Sequence, residues 1–214
     1  MKKLAIFDFD GTVMDSVQDV FIHLNEALSM HDFPILGNDQ LVKYLGGNID
    51  EIVSLVLKDQ SSPENIKLVK DTYLKIYYSS EKKNTVPFPK SHEILEKLQE
   101  KGVVLAINSN RFTDSIQTFV DRFFDDIDFS SIMGHDFAYP SKPDPSGVCE
   151  IVKKAGVELD ETLYIGDSGT DIQTAKNAGI DIVVVRWGYG DEKDLEDDYV
   201  LECIDDFDDL VKYF

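Results

Sequence analysis

The sequence predicts an α/β fold: a doubly wound parallel sheet with an all-helical segment inserted near its start. Three observations carry this. Short apolar runs of buried-strand length stand at residues 4–7, 103–107, 129–133, 162–165 and 182–185. Helical patterns lie between them, and glycines end several: Gly102, Gly156 and Gly179. No convincing strand pattern occurs between residues 16 and 85. Strand–helix alternation at this spacing implies parallel strands joined by right-handed crossovers. Ligands of such a sheet sit beyond the carboxyl ends of its strands.

Each element has its own signal. The run 4–7 is too short for a helix and breaks into Asp8-Phe9-Asp10-Gly11-Thr12. If the pleat continues, Asp8 and Asp10 project together, and Gly11 then turns the chain. Two carboxylates at a buried strand end are costly without compensation. A divalent cation compensates, and oxygen-only ligands suit Mg²⁺. An ordinary Asp-Gly turn is the other reading of these five residues alone. Asp15-Ser16 then supplies a helix N-cap, and Val17, Val20, Phe21, Leu24, Ala27 and Leu28 recur at helical spacing. Further helical patterns cover 39–44, 49–57 and 66–78, the first two separated by Leu45-Gly46-Gly47-Asn48. This makes a helical module of about 70 residues, within the usual domain range. Pro87 and Pro89 around Phe88 make its exit stiff and hinge-like.

Ser91 is expected to cap the next helix, ended by Gly102, and the strand 103–107 leads into Asn108-Ser109-Asn110-Arg111. A helix at 113–124 and a strand at 129–133 follow, and Ser141-Lys142-Pro143-Asp144-Pro145 is a rigid loop into the helix 146–155. The strand 162–165 leads into Gly166-Asp167-Ser168-Gly169-Thr170-Asp171 and a helix at 172–178. An edge strand at 200–203 and a closing helix at 207–214 complete the pattern. The acidic runs 191–198 and 205–209 read as solvated faces.

Composition narrows the function classes. A chain of 214 residues with 43% hydrophobic content can bury a real core. A formal net charge of −20 argues against a nucleic-acid surface, which needs a basic face. No run approaches the ~20 apolar residues of a membrane span. Cys149 and Cys203 match no metal-ligand spacing and read as reduced core residues, and His23, His31, His92 and His135 show no ligand spacing. The expectation is a cytoplasmic protein, monomer or homodimer, with no nucleic-acid or membrane partner.

Four segments carry a family resemblance. Asp8-Phe9-Asp10-Gly11-Thr12, Asn108-Ser109-Asn110, Lys142-Pro143 and Gly166-Asp167-Ser168-Gly169-Thr170-Asp171 resemble the four motifs of the haloacid-dehalogenase-like (HAD) phosphatases, in order, spacing and strand-end context. The helical module is similar to the cap of the subfamily that includes phosphoglycolate phosphatases. The resemblance implies a Rossmann-like catalytic core of residues 1–15 and 86–214 and a cap of residues 16–85. It implies a Mg²⁺-dependent phosphatase that hydrolyses a small, phosphoglycolate-like phosphomonoester through an aspartyl-phosphate. Asp8 would be the nucleophile, Asp10 the acid and base, and Lys142 the fixed positive charge. Thr12, Ser109 and the Asn110 backbone N–H would hold phosphoryl oxygens. Asp8, the Asp10 carbonyl and Asp167 would hold Mg²⁺, and Asp171 would take a metal-bound water or orient Lys142. Metal and lysine together would make a small positive hole in a negative protein.

Taken singly, Lys142 also reads as a surface lysine, Ser109 as a capping hydroxyl, Asp171 as a helix N-cap, and Thr12 and Gly11 as turn residues. Arg111 stands where the family often has Lys, and could meet a short carboxylate on the substrate. Gly46 and Gly47 lie where relatives place specificity residues. A pyrophosphatase of the same fold and a β-phosphoglucomutase-like transferase are the alternatives. The second disagrees with a module that holds no arginine to clamp a second phosphate. A dehalogenase disagrees with the presence of Asp10.

Overall fold

A computed structural model describes residues 1–37, 40–136 and 138–214. Strand β1 (Leu4–Phe7) and the short β2 (Met14–Asp15) precede helices α1 (Val17–Ser29), α2 (Ile49–Leu57) and α3 (Pro63–Ser79). The chain returns through β3 (Val86–Pro87), α4 (Ser91–Glu100), β4 (Val104–Asn108), α5 (Thr113–Phe123) and β5 (Phe129–Met133). It ends with α6 (Ser146–Ala155), β6 (Thr162–Gly166), α7 (Gly169–Ala178), β7 (Asp181–Val185) and β8 (Glu202–Ile204).

Among the described residues, six strands form one sheet in the order β5-β4-β1-β6-β7-β8. All its pairings are parallel. The first strand lies in the interior because β4 pairs on one side and β6 on the other, with Leu4 beside both Val104 and Thr162. All four β1 residues are buried, which is why the run is continuously apolar. Their period of two still sorts them: Ala5 and Phe7 join the core cluster that includes Leu95 of α4 and Phe119 of α5. Leu4 and Ile6 join the cluster formed with Val148 and Ile151 of α6 and Ala175 of α7. Helices therefore cover both faces of the sheet.

The inserted helices have a cluster of their own. Leu24 and Leu28 of α1 pack with Val53 of α2 and with Val69 and Tyr73 of α3. Local chemistry starts two of these helices: Asn48 and Glu51 form a capping box on α2, and Ser62 caps α3 ahead of Pro63. The outgoing and returning connections run side by side, because β2 pairs antiparallel with β3, Met14 opposite Pro87 and Asp15 opposite Val86. Just beyond, the buried Asp19 accepts from Asn84 N at 3.0 Å, Asn84 Nδ2 at 2.8 Å and Thr85 Oγ1 at 2.7 Å.

Several expectations shift. Ser16 is the N-cap of α1, but its hydroxyl makes no cap bond and goes to Asp10 instead. Lys90, not Ser91, is the N-cap of α4; Ser91 Oγ donates to Phe88 O at 2.7 Å. The 39–44 pattern is a 3-10 turn over Leu41–Tyr44, and Asp39 lies outside the described residues. The closing helix is a 3-10 segment, Phe207–Tyr213, and the last strand begins two residues later than expected. Cys149 is exposed and Cys203 half-buried, so neither is a core residue. Among the described residues, no helix is long and apolar enough to cross a membrane.

Replacing Asp19 by Ala leaves the fully buried Thr85 hydroxyl and two N–H groups of the exposed Asn84 without their acceptor. Urea unfolding is expected to read a loss of about 2–3 kcal/mol. A loss of a few tenths would mean that Asp19 does not hold the returning connection.

Candidate active site

The carboxyl edge of the sheet gathers the polar residues. Asp8 follows β1, Ser109 to Arg111 follow β4, Lys142 lies on the loop after β5, and Asp167 follows β6. The strand itself stops at Phe7, so the pleat does not extend to Asp10. The two acids accordingly take different partners. Lys142 Nζ lies 2.8 Å from Asp8 Oδ1 and 2.7 Å from Asp171 Oδ1, and its side chain is 4% exposed, so it is no surface lysine. Phe9 N donates to the same Asp8 oxygen at 2.6 Å.

Asp10 is held by Arg111, whose Nε donates to Oδ2 at 2.8 Å and Nη2 to Oδ1 at 2.6 Å. Ser16 Oγ also donates to Asp10. Arg111 Nη1 reaches Tyr77 of α3 and, at 3.1 Å, Ser115 Oγ. The guanidinium considered for a substrate carboxylate is thus already forked onto an acid of the protein.

Asp167 lies among glycines. A Cβ on Gly188 would sit 2.2 Å from the Asp167 Cβ, and one on Gly11, at φ +84°, would sit 2.4 Å from its Oδ2. Thr12 is fully buried and its hydroxyl donates to Asp167 Oδ1 at 3.1 Å, so it orients this carboxylate. Tyr189 N donates to Asp167 Oδ2 at 2.7 Å.

Asp171 is not the N-cap of α7; Ser168 is, and Asp171 completes a capping box with it. Its Oδ2 accepts from Asp167 N, Ser168 N and Ser168 Oγ, while Oδ1 takes Lys142. With both oxygens engaged, Asp171 is arranged to hold Lys142 in place.

Ser109 is no helix cap: it precedes α5 by several residues, and its Oγ accepts from Arg111 N at 3.2 Å. The Asn110 side chain braces the loops, donating to Gly46 O at 3.1 Å and Lys142 O at 3.2 Å and accepting from Lys142 N at 2.8 Å. Gly46 and Gly47 roof a cavity of about 280 Å³ whose lining includes Asp8, Asp10, Ser109, Asn110, Arg111, Lys142 and Asp167.

Sequence reasoning missed the loop after β7. Trp187 Nε1 donates to Thr12 O at 3.1 Å. The Tyr189 hydroxyl accepts from Ser16 N at 2.8 Å and Val17 N at 3.1 Å and donates to Asp15 Oδ1 at 2.8 Å. It thereby caps α1 where the Ser16 side chain does not. The available signal was position, since Gly188-Tyr189-Gly190 also follows the carboxyl end of a parallel strand. The acidic run after it is not simply a solvated face: Asp194 Oδ2 accepts from Gly169 N at 2.9 Å, at the start of α7.

One oxygen from each of Asp8, Asp167 and Asp171 lies within 4.8 Å of the others. Burial and then Asp171 push the Asp8 carboxyl well above its ordinary range, against the pull of Lys142. The same two causes push Asp167 up to about 7. Burial opposes the charge of Lys142, but Asp171 and Asp8 outweigh it and hold that pKa well above its usual value. One lysine does not offset three buried carboxylates. The cluster is short of positive charge and offers only oxygen donors, which fits Mg²⁺.

The parallel sheet, the acids at its carboxyl edge and the helical insertion together fit the hydrolases built on a doubly wound core. The haloacid dehalogenase-like hydrolase family matches residues 5–185, and the chain belongs to it. A phosphoglycolate phosphatase of Aquifex aeolicus is 30% identical over 189 residues, 87% of this chain and 86% of the relative. One from Pasteurella multocida is 31% identical over 195 residues, covering 87% of each. A crystal structure from Lactobacillus delbrueckii subsp. bulgaricus, described as a candidate phosphoglycolate phosphatase, has a TM-score of 0.91 at 27% identity. That match covers 98% of this chain and 97% of the other.

Asp167 gives a pH-dependent expectation. Its folded pKa is raised from 3.8 to about 7, so its contribution to stability is full below about pH 4 and is lost as pH rises through 7. Without metal, Asp167→Asn is expected to melt higher than the parent at pH 8 and not at pH 4. Mg²⁺ should raise the melting temperature of the parent and leave that of the variant unmoved. Equal Mg²⁺ shifts in both would remove Asp167 from the metal site.

Proposed function

We propose that the chain is a Mg²⁺-dependent phosphatase of the cytoplasm that hydrolyses a small phosphomonoester through a phosphorylated Asp8. The observation that carries this is the asymmetry of Asp8. Its Oδ1 is held by Lys142 and Phe9 N, while its Oδ2 accepts no hydrogen bond among the described residues. One oxygen is anchored and the other is left to attack.

In the first step Asp8 Oδ2 bonds to phosphorus and the bond from phosphorus to the alcohol oxygen breaks. Asp10, held as a carboxylate by Arg111 and Ser16, must come out of that fork protonated to pass a proton to the departing oxygen. In the second step Asp10 takes a proton from a water as it attacks phosphorus, and phosphate leaves Asp8. Lys142, the Ser109 hydroxyl and the Asn110 backbone N–H hold phosphoryl oxygens throughout. Asp8, Asp167 and the Asp10 carbonyl would hold Mg²⁺, with Asp171 acting through Lys142. When bound, the metal neutralises phosphoryl charge and lets Asp8 stay ionised. Residues 16–85 serve as a cap on a core of residues 1–15 and 86–214, and closure over the site excludes bulk water. The names of the relatives make phosphoglycolate the first compound to assay.

The test is phosphate release across small phosphomonoesters, pyrophosphate and glucose 1-phosphate, with and without Mg²⁺. Borohydride added during turnover reduces a phosphorylated aspartate to homoserine, and mass spectrometry should find it at position 8. Asp8→Asn is expected to lower kcat by roughly 10³-fold or more while the melting curve stays cooperative. Turnover without a trapped Asp8 would sink the covalent route.

A further inference from the structure

The lining of the catalytic cavity takes in residues of the helical module, and these give it an apolar wall. Val20 of α1, Ile49 and Ile52 of α2, Leu45 and Leu74 line it there. They belong to the module's own core cluster or pack against it, so this inner chamber is part of the packing. Cations are scarce around it. Arg111 is spent on Asp10, Tyr77 and Ser115, and Lys142, tied to Asp8 and Asp171, serves the phosphoryl side. Lys43 lines the same cavity but is exposed to solvent.

One polar group stands out. Tyr73 of α3 lines the cavity and is 6% exposed. No hydrogen bond from its hydroxyl occurs among the described residues. Nor is that oxygen sealed off: among the described residues, the only fully enclosed side-chain polar atom without a partner is His23 Nδ1. The Tyr73 hydroxyl therefore opens onto the cavity. Burial holds its pKa far above the ordinary tyrosine value, and Tyr77, Arg111 and Asp10 are among the groups that act on it. It is a neutral donor with no acceptor among the described residues, free to meet one on a ligand.

The position of the acid says which part of a substrate reaches this chamber. Asp10 must lie within reach of the leaving oxygen. Asp10 is tied to Arg111, and Arg111 to Tyr77, one helical turn from Tyr73 on α3. The acid and the α3 residues Tyr73, Leu74 and Tyr77 therefore line one cavity.

We propose that the inner chamber binds the alcohol portion of the substrate, and that this portion is uncharged, largely apolar, and carries an oxygen that accepts from Tyr73. The proposal rests on the phosphomonoester reading above and narrows its substrate class. A carboxylate placed in the chamber would meet apolar side chains and committed cations, an unfavourable exchange for its hydration.

Calorimetry on the whole chain with Mg²⁺ tests this with non-hydrolysable phosphonates. Phenethylphosphonate mimics an aryl-alkyl ester, its ring-methoxy isomers add an acceptor oxygen, and phosphonopropionate mimics phosphoglycolate. Phenethylphosphonate is expected to bind roughly tenfold tighter than phosphonopropionate, and the best methoxy isomer tighter again. Tyr73→Phe, which keeps the ring, should erase the methoxy gain alone. Tighter binding of phosphonopropionate, or equal weakening of every probe by Tyr73→Phe, would overturn the proposal. Phosphate release from the matching esters separates the two claims. Binding in the expected order without turnover sinks the phosphatase reading only, whereas turnover with the order reversed sinks this one only.

Discussion

The ion pairs of Lys142 with Asp8 and Asp171 are the constraint on which the site depends. Three charged groups taken out of water repay their desolvation only with close geometry and further hydrogen bonds. Both conditions hold: the N–O distances are 2.8 and 2.7 Å, and donors from the start of α7 engage the other Asp171 oxygen. Because Lys142 is anchored from one side by Asp171, it presents a fixed charge to Asp8 on the other. The cost is visible in the raised carboxyls of Asp8 and Asp167. A site built this way is short of positive charge, which fits a bound divalent cation.

Much of this was legible in the sequence, for a physical reason. In a doubly wound sheet the functional groups follow the strands, so a short apolar run ending in Asp8 or in Gly166-Asp167 announces both strand and site. The helical insertion was legible because strand patterns vanish between residues 16 and 85. What stayed hidden were pairings across the chain. Arg111 and Asp10 are separated by 101 positions, and nothing local to Arg111 says that its fork is taken. Thr12 read as a phosphate contact because it sits in the first motif, yet its burial turns the hydroxyl to Asp167. Ser16 read as a cap from its place before a helix, but the stronger acceptor nearby was the Asp10 carboxylate.

The helical module contributes to the wall of the cavity. Its apolar cluster is continuous with the wall of the catalytic cavity, so packing residues of α1, α2 and α3 also set the shape offered to a ligand. Substitutions that improve the packing of the module would alter that shape, and selectivity and stability there draw on the same side chains.

Tyr189 links the Asp167 carboxylate to the start of the helical module. Its backbone N–H holds Asp167, and its hydroxyl holds Asp15 and the first amides of α1, where the module leaves the sheet. A displacement at either end is carried to the other through one short loop. Thermodynamic reciprocity then applies: to whatever degree a cation at Asp167 biases the angle of the module, the angle of the module biases cation affinity by the same factor. Under the proposed function, ion capture and enclosure of the substrate would then be one equilibrium.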